Sequence, residues 1–252
     1  MSVDLKTLVQ FCDTRCRRTE VADFPGAENG LQIENSGQVT RVAAAVDAGL
    51  VPFQKAVATG VDFLIVHHGL FWNPVQPITG ANYAKLKTAM DGNLAVYSSH
   101  LPLDAHPEIG NNRLLANALG LAVEDWFLEH EGTPIAAIAG GLEGRDDLKQ
   151  RLRKAFPAGF QSIEFGSAEI RRAAILTGSG RSALATLTQQ GVDTLITGEL
   201  RQEHFNFAQE QQLNLYTCGH YATEVFGVKA LAAECAAKFG LDWSFIGTDC
   251  PL

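Results

Sequence analysis

The chain has 252 residues, 46% hydrophobic and 19% charged, and a formal net charge of −8; that suffices for one large domain or two small lobes with a real core. The acidic balance argues against nucleic acid as a partner, because affinity for a phosphate backbone comes from clustered Lys and Arg. No run of about 18 apolar residues offers a membrane span, the stretch around Asp4 and Lys6 lacks the apolar core of a signal peptide, and five cysteines form no CxxC pair, so the expected compartment is the reducing cytoplasm.

In chain order, Leu5, Leu8, Val9 and Cys12 share one face of an amphipathic helix over 4–18. Arg15, Arg17 and Arg18 read as a solvated helix end. Cys12 and Cys16, four apart, are expected to be buried thiols rather than a soft-metal pair. Asp23-Phe24-Pro25-Gly26 is a turn, and Asn29-Gly30 reads as a second tight turn rather than a site. Then come a strand at 39–46, a helix at 50–59 ended by Gly60, a strand at 63–66 running into His67-His68, a helix at 80–91 and a strand at 94–97 running into Ser98-Ser99-His100. A helix at 110–119 stops at Gly120. The pattern resumes with strands at 134–139, 172–176, 194–197, 213–217 and 243–246, among helices at 145–156, 181–190, 201–212 and 222–239. This alternation predicts an α/β fold with largely parallel sheets.

The halves echo each other. Residues 60–68 (GVDFLIVHH) parallel residues 191–199 (GVDTLITGE), and the strand end Tyr97-Ser98-Ser99-His100 parallels Thr217-Cys218-Gly219-His220. His100-x3-Asp104 is matched by His220-x3-Glu224. Three matches in one order predict two similar packed α/β lobes, 1–128 and 129–252, in a single compact unit with a cleft between them.

Parallel sheets carry functional groups at the C-terminal ends of their strands, and His67, His68, His100 and His220 all follow apolar runs. Each motif alone has an ordinary explanation. Neighbouring histidines on an extended backbone point opposite ways, so one of the pair can be a core residue. His100 with Asp104, or His220 with Glu224, can be a plain hydrogen-bonded pair, and Glu224 can simply complement a helix dipole. Together, four imidazoles and two carboxylates exceed the needs of one tetrahedral ion and suit two ions with positions left for water. The donors admit Zn, Fe, Mn, Ni or Co. Glu199 and His204, with Glu203, read as proton-transfer groups or as a polar helix start. Thr177-Gly178-Ser179-Gly180 offers backbone N–H groups to a phosphate only weakly, since it lacks a P-loop lysine. His106 and His130 are expected in exposed loops.

Several stretches carry a resemblance that spans nearly the whole chain: 28–32 (ENGLQ), 66–72 (VHHGLFW), 99–104 (SHLPLD), 110–112 (GNN), 197–199 (TGE) and 219–224 (GHYATE). The chain resembles the short form of the dinuclear-metal-centre hexamer family, also called GTP cyclohydrolase 1 type 2 or NGG-interacting-factor-like. The resemblance implies a two-lobed subunit and a toroidal homohexamer built as a trimer of dimers. It also implies that His67, His68, His100, Asp104, His220 and Glu224 hold two metals facing the inner cavity. Two stretches depart from the family: Thr177-Gly178-Ser179-Gly180 lacks the more usual double glycine before the serine, and Thr248-Asp249-Cys250-Pro251 replaces the more usual Asn-Pro ending. The leading expectation is a metal-dependent hydrolase acting through a metal-bridging water on a small, nucleotide-like substrate. A non-enzymatic metal scaffold, metallochaperone or partner-binder stands as the alternative, and a di-iron redox enzyme as a third.

Overall fold

The computed structural model describes residues 1–72 and 74–252. The chain runs β1 (Val3–Asp4), α1 (Leu5–Arg15), β2 (Gly30–Ile33), β3 (Gln38–Val39), β4 (Arg41–Asp47), α2 (Leu50–Ala58), β5 (Phe63–His68), α3 (Gly80–Asp91), β6 (Ala95–Ser98) and the single turn α4 (Leu101–Asp104). It continues with α5 (Asn111–Ala118), β7 (Ala122–His130), β8 (Thr133–Gly140), α6 (Arg145–Ala155), β9 (Gln161–Glu164) and β10 (Arg172–Ser179). After two short 3-10 turns (Arg181–Thr186, Thr188–Gln190) come β11 (Thr194–Glu199), α7 (Glu203–Gln211), β12 (Asn214–Thr217), the single turn α8 (His220–Thr223), α9 (Val225–Phe239) and β13 (Asp242–Phe245). This is a mixed α/β fold. Among the described residues, no helix is long and apolar enough to cross a membrane.

The chain divides into two compact units, but not at 128/129. The first comprises Met1–Leu103 with Gly227–Asp249, and the second Asp104–Phe226 with Cys250–Leu252. The expected boundary failed because the last strand returns to the first sheet: β13 pairs parallel to β4, with Asp242 opposite Arg41. Asp104 accordingly belongs to the second unit rather than the first.

The first unit's main sheet has the order β13-β4-β5-β6-β2. Its pairs are parallel except the edge pair β6–β2. Nearly every residue of β4 and β5 is buried, as expected of parallel strands covered on both faces. One face of the sheet, with Leu64, Val66 and Val96, packs on Phe53 and Ala56 of α2.

The second unit's sheet has the order β7-β8-β10-β11-β12-β9. Here only β10–β11 and β11–β12 are parallel, so the expectation of a largely parallel sheet holds for the first unit alone. The antiparallel addition is the β7–β8 hairpin, which pairs His130 with Thr133 around Glu131 and Gly132. Both turn residues have positive φ, as a two-residue hairpin loop matching the strand twist requires. Alternate residues of the central strands feed two cores. Ile175, Ile196 and Tyr216 meet α5 and α6, while Ala174, Leu195 and Leu215 meet Ala183, Leu184 and Ala208.

The internal echo is visible in topology. The run β2-β6-β5-β4 has the same order and strand directions as β9-β12-β11-β10. In both, three parallel strands end in an antiparallel edge strand. The cores carry the stability: truncating the fully buried Phe53 to alanine should cost about 3–5 kcal/mol in chemical denaturation. A loss below about 1 kcal/mol would show that this core repacks freely.

Candidate metal centre

In the first unit the strand ends position three imidazoles. β5 carries His67 and His68 at its C-terminal end, and the adjacent β6 leads into His100. The β5–β6 ladder is extended by Ser99 N–H donating to the Val66 carbonyl at 3.0 Å. His67 and His68 do not diverge as neighbours on an ideal strand would. β5 ends there, the chain turns through Gly69, and the two ring centroids lie 4.9 Å apart. His100 stands 4.9 Å from the first ring and 5.7 Å from the second.

Each of these rings has its Nδ1 occupied. His67 Nδ1 meets the Ser99 carbonyl at 2.9 Å, His68 Nδ1 meets Asp47 Oδ1 at 2.8 Å, and His100 Nδ1 meets Asp23 Oδ1 at 2.9 Å. All three partners are acceptors, so the proton sits on Nδ1 and the lone pair is left on Nε2. One nitrogen from each ring lies within 4.8 Å of the other two. This is the arrangement in which acceptors behind metal-ligating histidines fix tautomer and orientation. Burial raises the Asp23 pKa, yet the hydrogen bonds it accepts from His100, the Asn29 amide and the Phe24 N–H outweigh it and hold the carboxyl below its ordinary range.

Three residues outside the expected ligand set support these rings. Asp47, which ends β4, lies in register with His68. Asp23 accepts from the Leu101 N–H at 3.0 Å as well as meeting His100. Asn29 donates to Asp23 at 2.8 Å and accepts the His100 N–H at 2.7 Å. The tight-turn reading of Asn29 is therefore corrected: its amide ties the Asp23 loop to the end of β6. Gln32 similarly accepts the Leu70 N–H at 2.6 Å, and a Cβ on Gly69 would collide with the Gln32 amide and the Ser98 hydroxyl.

In the second unit His220 opens α8 after β12, with Gly219 ahead of it at φ +95°. His220 Nε2 lies 3.2 Å from Glu224 Oε2, and its Nδ1 lies 3.3 Å from Glu199 Oε1. Glu224, and then Glu199, push the imidazole up to about 9 against the opposing effect of burial. Without a metal the ring holds a proton at neutral pH, and a bound cation would displace it. Glu224 is 3% exposed and Asp104 7%. Asp104 Oδ1 accepts from Asn111 at 2.7 Å and from Thr177 at 3.4 Å, while Asn112 accepts the Thr177 N–H at 2.8 Å. The paired asparagines thus fix Asp104 against β10.

Of the two glycines in the 177–180 stretch, Gly178 makes room for the Glu224 carboxylate and Gly180 for the Thr197 side chain. Thr177 to Ser179 belong to β10, not to a loop before a long helix, and the expected helix at 181–190 is two short 3-10 turns. Gly178 has φ +64°, and a Cβ there would run into the Glu224 carboxylate and come within 3.1 Å of His220 Nε2. Thr223 Oγ1 accepts the Gly178 N–H at 3.0 Å, which moors α8 to β10.

Other expected residues take ordinary places. His204 Nδ1 accepts the Arg201 N–H at 2.9 Å within its own helix start. His106 is 3% exposed rather than solvated, and its Nδ1 accepts the Glu108 and Ile109 N–H groups. Cys12, Cys16 and Cys235 are fully buried, with Cys12 Sγ 3.5 Å from Cys235 Sγ.

The model of the Duf34/NIF3 (NGG1p interacting factor 3) family matches residues 3–250. The chain belongs to this family. A Duf34/NIF3 chain of this kind has close relatives. A "GTP cyclohydrolase 1 type 2 homolog" of Deinococcus radiodurans is 42% identical, over 86% of this chain and 84% of that protein. A protein of the same name from Halobacterium salinarum is 37% identical, over 97% and 98%. Among solved structures, TTHA1606 from Thermus thermophilus is 38% identical over 99% of this chain and all of that one, with a TM-score of 0.89.

If Asp23 and Asp47 tune the imidazoles, Asp23→Asn and Asp47→Asn should each weaken metal binding about 10- to 100-fold while circular dichroism stays unchanged. Competition against a chelating dye reads this; wild-type affinity in both variants would contradict the assignment.

Proposed function

We propose that this Duf34/NIF3 chain binds two divalent metal ions and is a metal-dependent hydrolase for a small, nucleotide-like substrate. The observation that carries the reading is the set of three imidazoles whose Nδ1 atoms are all committed to acceptors, leaving the Nε2 atoms as donors. In this reading His67, His68, His100, Asp104, His220 and Glu224 hold the ions. When bound, such ions lower the pKa of water and polarise a substrate oxygen. The donors are nitrogen and oxygen, which suits Zn, Fe, Mn, Ni or Co.

Around the ions the chain's own groups divide the work. Asp23, Asp47 and the Ser99 carbonyl orient the rings. Glu199 orients His220, and its side chain, 53% exposed, can exchange protons with solvent, so it is the better-supported proton carrier. His204, committed to Arg201, has less support for that role. The relatives' name, GTP cyclohydrolase 1 type 2 homolog, is in keeping with a nucleotide-like substrate. A toroidal homohexamer, a trimer of dimers, belongs to the same proposal and is supported by the family resemblance. Light scattering should return a particle of six chains, and a monomer at micromolar concentration would remove that part.

Elemental analysis of protein purified without chelator or nickel should find close to two ions per chain. His67→Ala and Glu224→Ala should each lose metal and any turnover on nucleotides and cyclic amides. Full activity in either variant would overturn the hydrolase, and metal retained without turnover on any substrate would leave a metal-holding scaffold.

A further inference from the structure

The first unit contains a pocket of about 750 Å³ that the metal ligands do not use, within the roughly 300–1,000 Å³ typical of small-molecule sites. Its wall starts one residue after the histidine pair. Gly69, Leu70, Phe71 and Trp72 line it together with Lys85 and Leu86 of α3. The Trp72 indole is fixed by donating to the Gly69 carbonyl at 2.9 Å. Its ring stands edge-on to His100, with centroids 5.0 Å apart, and 6.3 Å from His68. The pocket wall therefore touches the imidazoles directly. Phe71 remains 46% exposed beside it.

Lys85 is the pocket's cation. It is half-buried, and burial holds its ammonium below the ordinary lysine range. No carboxylate meets it among the described residues, and the acidic member of the lining, Glu28, is exposed. A partly desolvated ammonium on an apolar wall gains most from an anion brought by a ligand. An aromatic wall favours a planar ring, through its area and its offset or edge contacts.

We propose that this pocket binds a planar aromatic molecule bearing one anionic group, with its ring against Trp72 and its anion on Lys85 Nζ. The assignment of that molecule as substrate rests on the hydrolase reading; the binding itself does not. The ring contact between Trp72 and His100 makes the pocket the recognition subsite beside the imidazoles. Trp72 and Lys85 are positioning residues for the ligand.

Naphthalene-1-sulfonate tests this, because a sulfonate is a weak metal ligand. Its binding to the full chain is followed by calorimetry, as purified and after chelation, beside uncharged methyl 1-naphthyl sulfone and ring-free butane-1-sulfonate. The sulfonate should bind equally with and without chelation. Lys85→Met should weaken it about tenfold or more, Lys85→Arg should restore it, and neither should alter binding of the sulfone. Trp72→Leu should weaken both aromatic probes, and butane-1-sulfonate should bind more weakly than either. The proposal is overturned if the wild-type chain does not bind the sulfonate, as it would not if a second copy of the chain covered the pocket. It is also overturned if Lys85→Met binds unchanged or if butane-1-sulfonate binds as well as its aromatic counterpart. If protein purified without chelator held no metal and still bound the sulfonate, the hydrolase reading would fail and the pocket would stand.

Discussion

A neutral imidazole has one N–H and one lone pair, so what its Nδ1 touches decides what its Nε2 can do. In this protein that constraint is applied three times within a few ångströms: to His67 by a backbone carbonyl, and to His68 and His100 by carboxylates. The neighbouring structure serves these contacts. Asp47 can reach His68 because β4 and β5 run parallel in that register. Ser99 can offer its carbonyl because the β5–β6 ladder continues past the end of β6. Asp23 is held where it meets His100 by the Asn29 amide and the Leu101 N–H.

The second unit meets a different demand. Glu224 and Asp104 are almost fully buried, and a buried carboxylate is costly unless it is bonded or faces a cation. Asn111 and Thr177 answer part of that demand at Asp104, and His220 answers part at Glu224. Glycine at 178 leaves room for the carboxylate at a φ that other residues rarely adopt. Buried carboxylates of this kind are weak sources of stability, which is in keeping with the metal-binding role proposed for them.

Much of this was legible in the chain itself. The apolar runs of the central strands, the helices between them and the histidines at their ends follow from periodicity, and the internal echo survives as a shared strand order. Short edge strands were not legible: β2 and β9 have four residues each, and their pairing depends on distant partners. β7 was missed because its exposed, polar-rich face gives no continuous apolar run. The boundary was misplaced because β13 pairs with β4, a contact that no local signal announces. The outer carboxylates were missed for a related reason. Asp47 lies one residue past the strand expected at 39–46 and Asp23 in an expected turn, and only register and loop path bring each to its histidine.

The most direct test of a two-metal centre is to locate the metal. A crystal of the chain grown with zinc, with data collected at the zinc edge, should give anomalous peaks at the Nε2 atoms of His67, His68 and His100 and beside His220 and Glu224. Peaks at the buried thiols of Cys12, Cys16 and Cys235, or no peak at the imidazoles, would contradict the account.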